Sequence, residues 1–146
     1  MPKDFFTKAQ KEEILKAVIE AEKDTSGEIR VHIEESVKED ILDRAAYIFE
    51  KLKMHKTSQR NGVLFLLAYK SHKFAIIGDA GINSVVPVDF WDNIKEIMTE
   101  FFKENKFTEG LTKGIRMAGE ALKHNFPYKE DDVNELSDEI SYGEIQ

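Results

Sequence analysis

The sequence predicts an α/β fold: a small mixed β-sheet flanked by helices in an α/β/α sandwich, with a βαβ crossover followed by an antiparallel hairpin. Three observations predict it. Glu28 to Glu34 alternates in polarity, Val63 to Tyr69 is apolar at both parities, and the stretches around them repeat apolar residues at helical spacing. Strand, helix, strand in that order implies parallel pairing through a right-handed crossover. A chain of 146 residues with 41% apolar content suffices for one domain with its own core.

Thr7 followed by Gln10 fits a capping box, and Ile14, Leu15, Val18 and Ile19 form one stripe, so a helix is expected over 7–24. Thr25-Ser26-Gly27 ends it, with Gly27 suited to a left-handed or turn conformation. In the next stretch Ile29, Val31 and Ile33 point one way and Glu28, Arg30, His32 and Glu34 the other, the pattern of a half-exposed strand. Ile41, Leu42, Ala45, Ile48, Phe49 and Leu52 return to helical spacing over 40–53. Val63 to Tyr69 reads as a strand buried on both faces, and Lys73 to Ile77 as its shorter partner. A two-residue loop at Lys70-Ser71 then sets Asp79 opposite Gly62.

Ser84 to Val88 is either a short strand or a helical turn. Asp89 to Lys103 is a helix with Trp91, Ile94, Ile97, Met98, Phe101 and Phe102 inward. Thr108 is expected to cap a last helix reaching about His124, on which Gly110, Gly114 and Ala118 form a small-residue stripe for close packing. Phe126-Pro127 stops it.

The chain divides into a body, residues 1–128, and an acidic C-terminal tail, residues 129–146, expected to be mobile or laid over the surface. Seven acids against one lysine from Lys129 onward account for −6 of the net charge of −7, leaving −1 on the body. A nearly neutral body with an acidic tail argues against a nucleic-acid partner, which needs a basic face. No apolar run of about 18 residues is present, so no membrane span is expected. The start lacks a signal peptide's apolar stretch, and the absence of cysteine excludes disulfides and thiolate chemistry. The cytoplasm is the default compartment.

Parallel strands share their starting edge, so Ser26 and Glu28 should lie near Arg60 and Asn61. The antiparallel third strand ends at that edge and delivers Asp79; the helix opened by Asp89 begins beyond it. Glu28, Asn61, Asp79 and Asp89 are therefore candidate oxygen ligands around one point, suited to Ca2+ or Mg2+. The bland reading makes Asn61-Gly62 a strand-opening turn, Asp79 an Asx turn, Asp89 a helix cap and Glu28 part of a solvated strand face. Arg60 would repel a cation, neutralise Asp79 or hold a phosphate. Asp79, Gly81 and Asn83 match the start of a calcium loop, but Phe90 stands where an EF-hand needs its closing Glu. The four histidines show no paired zinc spacing, and nucleophile elbow and phosphate-loop motifs are absent.

Thr25-Ser26-Gly27-Glu28-Ile29, Arg60-Asn61-Gly62-Val63-Leu64, Ile77-Gly78-Asp79-Ala80-Gly81-Ile82 and Asn105-Lys106-Phe107-Thr108-Glu109-Gly110-Leu111 occur in the order and spacing of the TPM domain. Over roughly residues 7–126 the chain resembles that family, most closely its soluble bacterial branch. The resemblance implies an α/β sandwich with a mixed sheet, binding of a divalent cation (calcium in particular) near the edge described above, and in some relatives acid phosphatase activity. Many relatives carry an acidic residue where this chain has Arg60. The expectation is an accessory or protein-interacting domain that binds a divalent cation, with a metal-dependent phosphatase as the alternative and catalytic residues unassigned.

Overall fold

In a computed structural model, which describes residues 2–128 and 139–143, a four-stranded mixed sheet carries helices on both faces. Strands β1 (Glu28–Glu34), β2 (Gly62–Ala68), β3 (Lys73–Gly78) and β4 (Ser141–Tyr142) lie in the order β3-β2-β1-β4. β1 is parallel to β2 and to β4, while β2 is antiparallel to β3. The hairpin has the expected register: Val63 faces Gly78, and the Asp79 N–H donates to the Gly62 carbonyl at 2.9 Å.

Helices α1 (Lys8–Glu22), α4 (Phe90–Lys103) and α5 (Phe107–Asn125) cover one face, burying Ile29, Val31, Ile33, Val63, Phe65 and Leu67. Helix α2 (Ile41–Lys51) covers the other, where Leu64, Leu66 and Ala75 meet Ala45, Ile48, Phe49 and Met54. A last short helix, α3 (Ala80–Asn83), follows the hairpin directly, so the helical turn comes before the 84–88 stretch expected to hold a turn or strand. Asp79 caps it, and that cap decides where it starts.

Helix α1 starts as expected, with Thr7 and Gln10 bonding reciprocally. Its buried face is Ile14, Ala17, Val18 and Ala21, whereas Ile19 stays exposed. The cause is α5: a Cβ on Gly119 would stand 2.6 Å from the Ala21 Cβ, so small residues meet where the two helices approach. Gly27 is not left-handed; Asp24 takes that conformation (φ 64°). Gly27 is needed for space, since a Cβ there would meet the Leu122 side chain at 2.5 Å. Beside it, buried Thr25 directs its hydroxyl to the end carbonyls of α5 at Leu122 and Phe126, tying that helix to the start of β1. Thr108 lies inside the first turn of α5, buried, and the capping position falls to Lys106.

β1 is not half-exposed. Glu28, His32 and Glu34 are all buried, and for Glu34 and His32 two other elements supply polar partners. Arg44 of α2 clasps Glu34 through Nε (2.9 Å to Oε2) and Nη2 (2.5 Å to Oε1). β4, part of the tail expected to be mobile or laid over the surface, pairs with the outer edge of β1. His32, fully buried, lies 2.6 Å from Ser141 Oγ at Nδ1 and 2.7 Å from the Gly143 carbonyl at Nε2. A carbonyl only accepts, so Nε2 carries a proton. Residues 129–138 and 144–146, where the rest of the tail expectation falls, lie outside the described residues.

Burial would raise the Glu34 pKa, but the His32 ring 3.9 Å away and the hydrogen bonds and charge of Arg44 hold it below the ordinary carboxylate value. Arg44→Ala leaves that carboxylate buried without its cation, and urea denaturation should show a loss of about 3 kcal/mol. A loss within 0.5 kcal/mol, the scale of a surface change, would contradict this account.

Candidate functional site

The rim at the start of β2 and the end of β3 is assembled from three loops. Thr57 begins it: its hydroxyl accepts from the Asn61 N–H at 3.2 Å and its carbonyl from the Arg60 N–H at 3.3 Å. This turn holds Arg60 left-handed (φ 52°), with its carbonyl aimed at the start of α3. There it accepts from the N–H groups of Gly81 (2.8 Å) and Ile82 (3.3 Å). The approach is so close that a Cβ on Gly81 would lie 2.0 Å from the Gln59 carbonyl oxygen. Glycine is required there by space.

Asp79 and Arg60 face each other across this contact. The guanidinium donates from Nε to Oδ2 and from Nη2 to Oδ1, both at 2.7 Å, and Oδ1 also accepts from the Ala80 N–H at 2.8 Å. Asp79 is buried, whereas the Arg60 side chain is 51% exposed. Burial alone would raise the Asp79 pKa; the Arg60 bonds and charge, the Ala80 N–H and the His55 imidazole outweigh it and hold the group below its usual 3.8.

Asn61 is sealed, 1% exposed. Its Nδ2 donates to Ser26 Oγ at 3.2 Å, and Gln59 Nε2 donates to the same oxygen at 2.9 Å. Among the described residues Asn61 Oδ1 has no hydrogen-bond partner. A buried acceptor without a donor carries its full desolvation cost, about 1–3 kcal/mol. On the outer side of Asp79, Asn83 bridges the Gly78 carbonyl and the Trp91 indole, each at 2.7 Å, tying α3 to α4.

The expected four-ligand cluster is only partly assembled. Asn61 and Asp79 reach the same rim, although Asn61 lies beneath its surface. Glu28 pairs with Gly62, so β2 separates it from Asp79, and two strand spacings put their Cα atoms about 10 Å apart. Met54 packs over Gly62 in between: its carbonyl oxygen lies 3.1 Å from where a Cβ would be. Asp89 is exposed at the start of α4, makes no capping bond, and pairs with no residue of the rim. Among the described residues no three His, Cys, Asp or Glu side chains form a group able to hold a metal ion. Sequence reasoning missed Gln59 and His55. Gln59 could have been suspected from its place beside Arg60-Asn61, but nothing local marks His55.

Two outcomes follow from this geometry. Gly81→Ala should cost about 2 kcal/mol, because backbone on both sides must move, as a urea titration would show. For Asp79 the folded pKa is depressed, so its stabilisation is complete above the ordinary value of 3.8 and is lost as pH falls through the lower folded value. Asp79→Asn should therefore melt below wild type at pH 7, with the gap closing in strong acid; a gap constant with pH would contradict the ion-pair account.

Comparison with known proteins bears on the same fold. The TPM domain family matches residues 2–121. The NMR structure of the BA42 protein from the psychrophilic bacterium Bizionia argentinensis is similar along 97% of both chains, with 45% identity and a TM-score of 0.89. The N-terminal domain of a P. gingivalis protein superposes with a TM-score of 0.68 at 16% identity, over 86% of this chain and 84% of that one. The N-terminal domain of the cg2496 protein of Corynebacterium glutamicum does so at 0.65 and 11%, over 81% and 74%. The last two likenesses concern the fold alone. A search of the curated proteins finds no match. Among the described residues no helix is long and apolar enough to cross a membrane. With the family match spanning most of its length, the chain belongs to the TPM domain family.

Proposed function

We propose that the rim of residues 59–62 and 79–83 binds a divalent cation, Ca2+ or Mg2+, and that the domain has an accessory, protein-interacting role. Asp79 is the charged ligand and Asn61 the neutral oxygen donor. The observation that carries this reading is the pairing of a carboxylate held ionised with a sealed amide oxygen that no donor among the described residues reaches. Hard cations take oxygens of both kinds. Glu28, behind Met54, and Asp89, exposed on α4, join the shell only if the loops rearrange.

In this reading Arg60 stands in the cation's place. Its guanidinium occupies both oxygens of Asp79, so a metal ion binds as Arg60 leaves. Half exposed, the Arg60 side chain leaves without uncovering the core. A metal-assisted phosphatase is the second reading, favoured by the position of that same guanidinium: released beside a bound metal, it would hold a phosphate. An aryl phosphate assay separates the two, since hydrolysis that survives both Asp79→Ala and Arg60→Ala belongs to a contaminant.

Calcium and magnesium titrations followed by amide NMR test the main reading. Shifts should gather at residues 26–28, 59–62 and 79–83, vanish in Asp79→Asn, and saturate at on the order of tenfold lower metal in Arg60→Gln, where the competing charge is gone. Shifts scattered elsewhere, or none at millimolar metal in either wild type or Arg60→Gln, would remove the cation site.

A further inference from the structure

At the other end of β3, some five residues and about 17 Å along the strand from Gly78, lies a second feature with different chemistry. Phe74 of β3, Phe102 of α4 and Phe107 of α5 enclose, with Leu67 and Thr99, a slot of about 150 Å3. Phe74 and Phe102 meet edge to face with ring centroids 4.8 Å apart, and Phe102 and Phe107 lie 5.4 Å apart. All three rings are only partly buried, so the slot opens to solvent.

His72, Lys73 and Lys103 complete the lining; all three are exposed, and no acidic residue lines the slot. On a body of nearly neutral net charge this is a local excess of positive charge. Lys103 shares its charge with Glu100 at 3.5 Å, whereas Lys73 makes no ion pair among the described residues. The opening is basic and the interior aromatic.

Size decides what fits. Pockets for free small molecules usually enclose 300–1,000 Å3, whereas an apolar space of about 150 Å3 takes one benzene-sized ring. One ring among phenylalanines, with carboxylates at the basic opening, describes a side-chain anchor in an acidic peptide, and buried aromatic anchors dominate such contacts. The chain's own acidic tail has one aromatic residue, Tyr142, already paired in β4 against β1. We infer that this slot receives a single aromatic side chain from an acidic segment of a partner protein. The inference does not depend on the cation site.

The test is an amide NMR titration of the full chain with the blocked peptide acetyl-Asp-Glu-Phe-Glu-Asp-amide. Shifts should centre on residues 72–74, 99–103 and 107, and replacing the peptide's Phe by Ala should weaken binding about tenfold or more. Lys73→Glu combined with Lys103→Glu, both at exposed positions, should weaken it several-fold while leaving the protein's spectrum folded, and added salt should act the same way. The inference is overturned by equal affinity for the Ala peptide, or by shifts on another face or none at millimolar peptide. Phenylacetate saturating the slot as tightly as the peptide would also overturn it, marking a small-molecule pocket.

Discussion

β2 is buried along its whole length, Gly62 to Ala68, and no water reaches its backbone. Every N–H and carbonyl must therefore be met by a neighbouring strand, and every side chain by a helix. β1 and β3 supply the first, on either edge. α2 on one face, and α1, α4 and α5 on the other, supply the second. The chain can turn polar only at the two ends of this strand. The ion-paired rim forms at one end and the phenylalanine slot lies beyond the hairpin turn at the other. Both follow from one apolar run with solvent only at its ends.

Polar groups survive inside this body where partners are supplied from far along the chain. Glu34 is tolerated because Arg44 clasps it, and His32 because the tail returns to meet both ring nitrogens. Asp79 is tolerated because Arg60, held left-handed by the turn before it, reaches both of its oxygens. Asn61 breaks the pattern. Its amide nitrogen donates to Ser26, while among the described residues its oxygen meets no donor.

The elements that could be read in advance share a local cause. The capping box at Thr7 and the both-parity run of β2 each lie within a few residues and appeared as expected, and so did α2, although of its expected stripe Leu42 turns to solvent. Even the hairpin register, which brings Asp79 to Gly62, was legible because a tight loop leaves little freedom. Misreadings came where a distant partner intervened. Alternation made β1 look half-exposed, and only Arg44 and β4 reveal that its polar side is covered. Gly27 resembled a turn glycine until Leu122 filled the space beside it. Glu28 belonged to the right edge by topology, yet Met54 over Gly62 divides it from Asp79.

Periodicity and turn chemistry therefore settled the fold class, the parallel and antiparallel pairings, and the arrival of Asn61 and Asp79 at one rim. Tertiary structure alone decided that Arg60 occupies the carboxylate, that Asn61 is sealed with its oxygen unmet, and that tail residues 141–142 complete the sheet. The division has a physical reason. Side-chain spacing records which face of an element turns inward, but it carries no information about what arrives, from many residues away, to cover the other face.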